Sequence, residues 1–228
     1  DIVGSIYEHN NIKSKEFPFF GDGCRFTDDT VCTVAVADCL INDGDFTEYL
    51  SGYALRHPSR GYSGSFRHWA KQWSPQPYGS IGNGSAMRVS PVAYIAKNEA
   101  EVLGLAAKSA SVTHNHPDAV AGAQATAWAI WAAKNGNSPF AIRKGLTARF
   151  EYDLTQSVDE IRAWYKHDAT CKGTVPQAIT CALEANCYED AIRNAISIGG
   201  DSDTIACIAG GVAEAIFGVP DWITRRLD

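Results

Sequence analysis

From residue 27 onward the chain is a succession of alanine-rich segments separated by glycine, asparagine and proline, with few stretches of the β-branched alternation that strands require. That pattern predicts an all-α fold of helices joined by glycine-rich loops. At 228 residues and 45% hydrophobic content the chain is long enough to bury one sizeable core. A single domain over residues 1–228 is the expectation.

Individual segments carry their own start and stop signals. Over Thr30 to Leu40, the residues Val31, Val34, Ala35 and Cys39 form one apolar face, with Thr27 or Asp28 as the natural cap and Asn42 to Asp45 as the closing turn. Pro117 suits the first position of a helix that runs through Val120, Ala123, Ala127 and Trp131 and stops at Asn135 and Gly136. Pro176 to Glu184 and Tyr188 to Ser197 read as a helical pair. After Gly199 and Gly200 the pattern resumes over Thr204 to Ile216, where Ala206, Ala209, Gly210 and Gly211 allow close helix packing. Residues 57 to 91 are rich in Gly, Ser, Pro and aromatics without a long period, and are expected to form loops and short helices lining a cleft.

Several function classes drop out. A net charge of −6 gives no basic footprint for nucleic-acid backbones, so any phosphate must be held locally. No apolar run approaches the roughly 18 residues that span a bilayer, and no membrane association is expected. The seven cysteines are odd in number, form no CxxC pair, and sit mostly among Ala, Ile and Val, which predicts buried reduced thiols in a cytoplasmic protein.

Two segments stand apart. Phe26-Thr27-Asp28-Asp29-Thr30 and Gly199-Gly200-Asp201-Ser202-Asp203-Thr204 each place an acidic cluster at the head of a helix of small apolar residues. A helix N-terminus favours one carboxylate by roughly 0.3–1 kcal/mol. Two per helix repel one another, and a shared cation removes that penalty. Four carboxylates with the hydroxyls of Thr27 and Thr204 make an all-oxygen set, which selects Mg²⁺, Mn²⁺ or Ca²⁺ over zinc.

These two segments resemble the paired signatures of the ADP-ribosylglycohydrolase family, which includes the dinitrogenase-reductase-activating glycohydrolases. DIVGSIYE at 1 to 8, RGYSGSF at 60 to 66, IGNGSAMRVSP at 81 to 91 and VTHNHPDA at 112 to 119 match in the same order. Six short motifs in family order are far more specific than any one of them. The chain opens at Asp1 without a methionine, and the apolar lead-in that precedes the first motif in the family is absent, which bears on how the first helix packs.

The resemblance implies a compact orthogonal helical domain around a central cleft with two Mg²⁺, or Mn²⁺, ligated by Thr27, Asp28, Asp29, Asp201, Asp203 and Thr204. It places ADP-ribose against Gly61, Tyr62, Ser63 and Gly64, against Gly82, Asn83, Gly84, Ser85 and Met87, and near His114. Glu8 matches a glutamate used in the family as a mobile acid or base, with Asp29 and Asp203 as the other candidates. The activity implied is hydrolysis of the bond between ADP-ribose and a protein side chain or other acceptor, by a monomer that releases ADP-ribose.

Other readings stand beside this one. His116 reads as a hydrogen-bonding residue at a helix start, and the six tryptophans as core or rim packing, while Tyr62 or Tyr94 is a candidate adenine platform. A catalytically silent ADP-ribose-binding or crystallin-like relative is the alternative. A binuclear Mg²⁺ enzyme acting on a free nucleotide or small metabolite is a further rival.

Overall fold

Side-chain capping sets most of the helix boundaries, as seen in a computed structural model that describes residues 1–227; of the expected domain, Asp228 lies outside the described residues. A short 3₁₀ turn at Gly4–Ile6 precedes α1 (Asp28–Ile41), α2 (Phe46–Arg56), α3 (Gly64–Ala70), α4 (Gly84–Met87), α5 (Val92–Ile95), α6 (Glu99–Ser111) and α7 (Pro117–Lys134). After these come α8 (Pro139–Phe150), α9 (Val158–Trp164), α10 (Cys171–Leu183), α11 (Tyr188–Ser197), α12 (Ser202–Phe217) and α13 (Asp221–Leu227). The architecture is all-α. Among the described residues the only strand-like pairing recorded is an isolated bridge between Gly82 and Thr170, and no helix is long and apolar enough to cross a membrane.

The centre is built from α7 and α12, two helices dominated by small residues. Along α7, Ala119, Ala123, Ala125, Ala127, Ala129 and Ala132 are all fully buried, because α4, α6, α8, α10 and α12 pack around it. A helix enclosed on all sides needs no amphipathic stripe. Helix α12 packs in turn on α10 and α11, and α1 leans on α2 at the edge of this group.

The helix expected from Pro176 begins earlier, at Cys171, with Pro176 inside it. The start is set by the preceding turn. Asp168 Oδ1 accepts from the Thr170 N–H at 2.8 Å, and Thr170 Oγ1 caps the helix by accepting from Gly173 N–H at 3.1 Å. Long-range backbone hydrogen bonds from Asn83 N–H to Ala169 O (2.8 Å) and from Cys171 N–H to Ile81 O (3.0 Å) hold that turn against the 81–83 loop. These contacts outweigh the proline's preference for the first helical turn.

The N-terminal segment is stitched onto the start of α12. A Cβ on Gly4 would stand 2.6 Å from both Asp203 Cα and Ser202 O, so only glycine allows this approach. Asn11 closes the other side, donating to Gly200 O at 2.9 Å and accepting from Gly200 N–H at 2.7 Å. Glu8 lies between these two anchors and is thereby delivered to the acidic end of α12.

All seven thiols are free: Cys32, Cys39, Cys171 and Cys181 are buried, Cys24 and Cys207 half-buried and Cys187 exposed. Trp69 and Trp128 belong to the core. Trp164 and Trp222 pack at the rim, against Tyr165 and against Phe19 and Phe20, while Trp73 is fully exposed.

Candidate active site

Capping does not use most of the acids. Thr27 caps α1, its Oγ1 accepting from Asp29 N–H at 3.4 Å, so neither Asp28 nor Asp29 serves as the cap. Asp201 occupies the cap position of α12, but its side chain accepts no capping hydrogen bond. The carboxylates are left for another purpose.

The two helix starts meet in space. Thr204 Oγ1 lies 3.3 Å from Asp29 Oδ2, and Thr27 Oγ1 lies 3.5 Å from Asp203 Oδ2, between residues 175 and 176 positions apart. Carboxylate oxygens of Glu8, Asp201 and Asp203 all fall within 4.8 Å of one another. Asn83 orients this cluster from below, its Nδ2 donating to Asp201 Oδ2 at 2.7 Å and to Thr174 Oγ1 at 3.1 Å.

Counting protons tests whether a cation fits. The Thr27 hydroxyl has one proton, and its nearest acceptor is Asp1 Oδ1 at 2.9 Å. With one lone pair accepting from Asp29 N–H, that oxygen has no proton left for Asp29 Oδ2 at 3.4 Å or Asp203 Oδ2 at 3.5 Å. Asp29 Oδ1 is buried without any hydrogen-bond partner. Buried oxygens facing one another are costly unless protons or a cation lie between them. The donors are hard oxygens, which suit Mg²⁺ or Mn²⁺. Cys32 also lines the cavity, but burial holds its thiol far above the usual range and keeps it protonated.

Asp1 is the residue that sequence reasoning missed here. Its carboxylate accepts from Thr27 N–H at 3.0 Å, from Thr27 Oγ1, from Thr30 N–H at 3.1 Å and from Thr30 Oγ1. The contact spans 26 positions or more, and no local pattern announces it.

Crowding of like charges shows in the acidities. Burial, with the charges of Asp203, Asp201 and Glu8, pushes Asp28 up to about 7. Burial and the Asp201 charge push Asp203 up to about 6. Asp29 is held well above the carboxylate range by burial and by Asp203 and Asp28. Glu8 is raised by burial and then by Asp203.

Between the ordinary value of 3.8 and about 7, the folded protein keeps a proton on Asp28 that the unfolded chain has released. Folding stability from this group is thus undiminished below the lower value, falls as pH rises through the window, and levels off above it. In EDTA, the gain in melting temperature of Asp28→Asn over wild type is expected to be small near the acid end and to grow to a plateau above neutrality. A gain that is constant across the window would contradict the assignment.

Above the acids lies a cavity of about 460 Å³, lined by Glu8, Thr27, Asp28, Asp29, Asp201, Asp203 and Thr204 on its floor. Its size falls within the roughly 300–1,000 Å³ of small-molecule sites. The walls include Gly61, Ser63, Gly82, Asn83, Gly84, Met87 and His114. Tyr62, Gly64 and Ser85 are not among the lining residues. Tyr62 turns into the core and stacks on Phe66, with ring centroids 5.4 Å apart, and Phe66 rather than Tyr62 lines the cavity. Ser85 is buried and donates to Ala119 O at 2.9 Å. Tyr94 lies outside the lining, beneath Lys134. His116 behaves as a helix-start residue, its Nδ1 accepting from Asp118 N–H at 3.2 Å as the N-cap of α7.

Basic side chains complete the walls. Arg25, Arg60, His9 and His167 line the cavity, as does Arg88, which is fully buried. Arg25, His9 and His167 lie outside the motifs, and Arg60 and Arg88, although inside the 60–66 and 81–91 motifs, carried no expected role. An acidic protein thus places local positive charge where an anionic ligand would lie.

A sequence model of the family described as ADP-ribosylglycohydrolase matches residues 1–227. ADP-ribosylarginine hydrolase Tri1 from Pseudomonas putida (strain GB-1) is 25% identical over 250 residues, covering 96% of this chain and 67% of that protein. ADP-ribosylhydrolase ARH3 from Danio rerio is 27% identical over 265 residues, covering 87% and 72% respectively. A solved chain of an ADP-ribosylglycohydrolase-related protein complex shares the fold, with a TM-score of 0.76 at 23% identity over 99% of this chain and 87% of that one.

Proposed function

The chain belongs to the ADP-ribosylglycohydrolase family and is a hydrolase of ADP-ribose glycosidic bonds, and from that premise we propose that it releases ADP-ribose from a modified acceptor with the help of two Mg²⁺ or Mn²⁺ ions. Asp28, Asp29, Asp201 and Asp203, with the hydroxyls of Thr27 and Thr204, would hold them. The observation that carries this reading is the meeting of the two acidic helix starts at the cavity floor, with Asp29 Oδ1 left without a partner.

Bound ions would supply charge neutralisation and a more acidic water at the anomeric carbon. The protein's own residues do the rest. Breaking the bond passes through an oxocarbenium-like state, so the ribose must be held and the leaving group protonated. Glu8, on the cavity floor with its pKa raised by burial and by the Asp203 charge, would hold and deliver that proton. The 61–63 and 82–84 segments bring backbone close to the ligand, and Arg60 and Arg88 offset diphosphate charge.

The proposal extends to a single domain over residues 1–228 working as a cytoplasmic monomer, which the seven free thiols suit. A panel of defined ADP-ribosylated substrates, modified on arginine, serine or a nucleobase, assayed with Mg²⁺ and with EDTA, tests it. Release of ADP-ribose from one class in Mg²⁺ only is the expected outcome. Binding of ADP-ribose with no release from any acceptor would instead favour a silent binding relative.

A further inference from the structure

His114 lines the cavity, yet its protonation is decided by residues behind it. Arg88 is fully buried, and its Nη2 donates to Ser109 O at 2.7 Å and to Thr113 Oγ1 at 2.9 Å. Thr113, also fully buried, lies 2.6 Å from His114 Nδ1 through its Oγ1. A guanidinium only donates, so Thr113 Oγ1 receives from Arg88 and retains one proton of its own. Among the described residues, His114 Nδ1 is the partner within reach of that proton. The opposite arrangement, with Nδ1–H donating to Thr113, would leave the threonine proton without a partner in a dry interior, which is costly.

We infer that Arg88 and Thr113 form a positioning relay that locks His114 as the neutral Nε2–H tautomer, so that it presents a fixed hydrogen-bond donor to an oxygen of the bound ADP-ribosyl group. This rests on the function proposed above for the identity of the ligand, but the tautomer itself does not. The Nε2 edge faces the 82–84 loop, where a Cβ on Gly84 would stand 3.1 Å from it. Neutrality has an independent cause: no carboxylate contacts Arg88, whose neighbours Cys32, Tyr78 and Cys171 are uncharged at neutral pH. Burial and then the Arg88 charge accordingly hold His114 well below its usual range. A neutral donor fixed in one tautomer is the state that binds an oxygen acceptor without competing for protons.

The test is ring-nitrogen NMR on the ¹⁵N-histidine-labelled full chain, combined with ADP-ribose titration. In wild-type protein without ligand, His114 is expected to show a protonated Nε2 and an unprotonated Nδ1 at neutral pH. Thr113→Val, close in shape, should lose that single-tautomer signature and weaken ADP-ribose binding roughly tenfold, as loss of a buried hydrogen-bond partner does. Thr113→Ser should restore both. A wild-type Nδ1–H tautomer overturns the relay, and so does a Thr113→Val protein with unchanged ring signals and affinity. Failure of ADP-ribose to bind wild-type protein that shows the expected tautomer would count against the proposed function and not against the relay.

Discussion

Asp203→Asn is expected to abolish turnover while making the metal-free protein more heat-stable. Asp203 is shared by every part of the cluster: its oxygens lie within 4.8 Å of ligand atoms of Glu8 and Asp201, and its Oδ2 lies 3.5 Å from Thr27 Oγ1. Losing its charge removes one hard ligand and loosens the rest. If the metal site supplies several kcal/mol of transition-state stabilisation, at about 1.4 kcal/mol per decade the rate should fall by on the order of a thousandfold or more. Stability should move the other way. In EDTA at neutral pH the cluster holds Asp28, Asp29 and Asp203, whose pKa values are pushed upward, and removing one charge relieves its neighbours. A chain of this length gains about 2–4 °C in melting temperature per kcal/mol relieved. Parallel assays and melts with and without Mg²⁺ check both signs. An Asp203→Asn protein that turns over normally, or that melts lower than wild type in EDTA, would remove the cation cluster from the account.

The second large effect is expected at Glu8. Glu8→Gln keeps the size and polarity of the side chain, so the bound ADP-ribosyl group should be held much as before. Proton delivery is what it loses, and general acid–base catalysis is typically worth about 10²–10⁴ in rate. The expected result is a fall in kcat of that order with ADP-ribose affinity close to wild type. Glu8 also stands beside Asp201 and Asp203, so Mg²⁺ binding by calorimetry should accompany the kinetics. A parallel loss of Mg²⁺ affinity would make Glu8 a ligand rather than the acid. Full activity would pass the role to Asp29 or Asp203.

Much of this was legible along the chain because helix starts are written within one turn. The cap at Thr27, the proline opening α7, and the whole of α11 at Tyr188–Ser197 follow from residues three or four positions apart. The acidic pairs were visible for the same reason: two carboxylates in a first turn exceed what capping can use. Six short motifs in order were enough to identify the family, whose model spans residues 1–227. At Pro176 and at the Tyr62 ring, tertiary contacts overrule local preference. Pro176 lies inside α10 because the 168–171 turn is bonded to the 81–83 loop, and Tyr62 faces the core because stacking on Phe66 buries it.

Composition, periodicity and capping by themselves determined the helical class, the two acidic starts and the hard-oxygen character of the site, since each depends on neighbours within a turn. Only the folded chain decided that Asp1 would spend the Thr27 proton, that Asn83 would orient Asp201, and that Arg88 would reach His114 through Thr113. Those pairings join residues on separate elements. Their geometry is set by how small-residue helices such as α7 and α12 pack, and packing is a property of the whole core rather than of any segment.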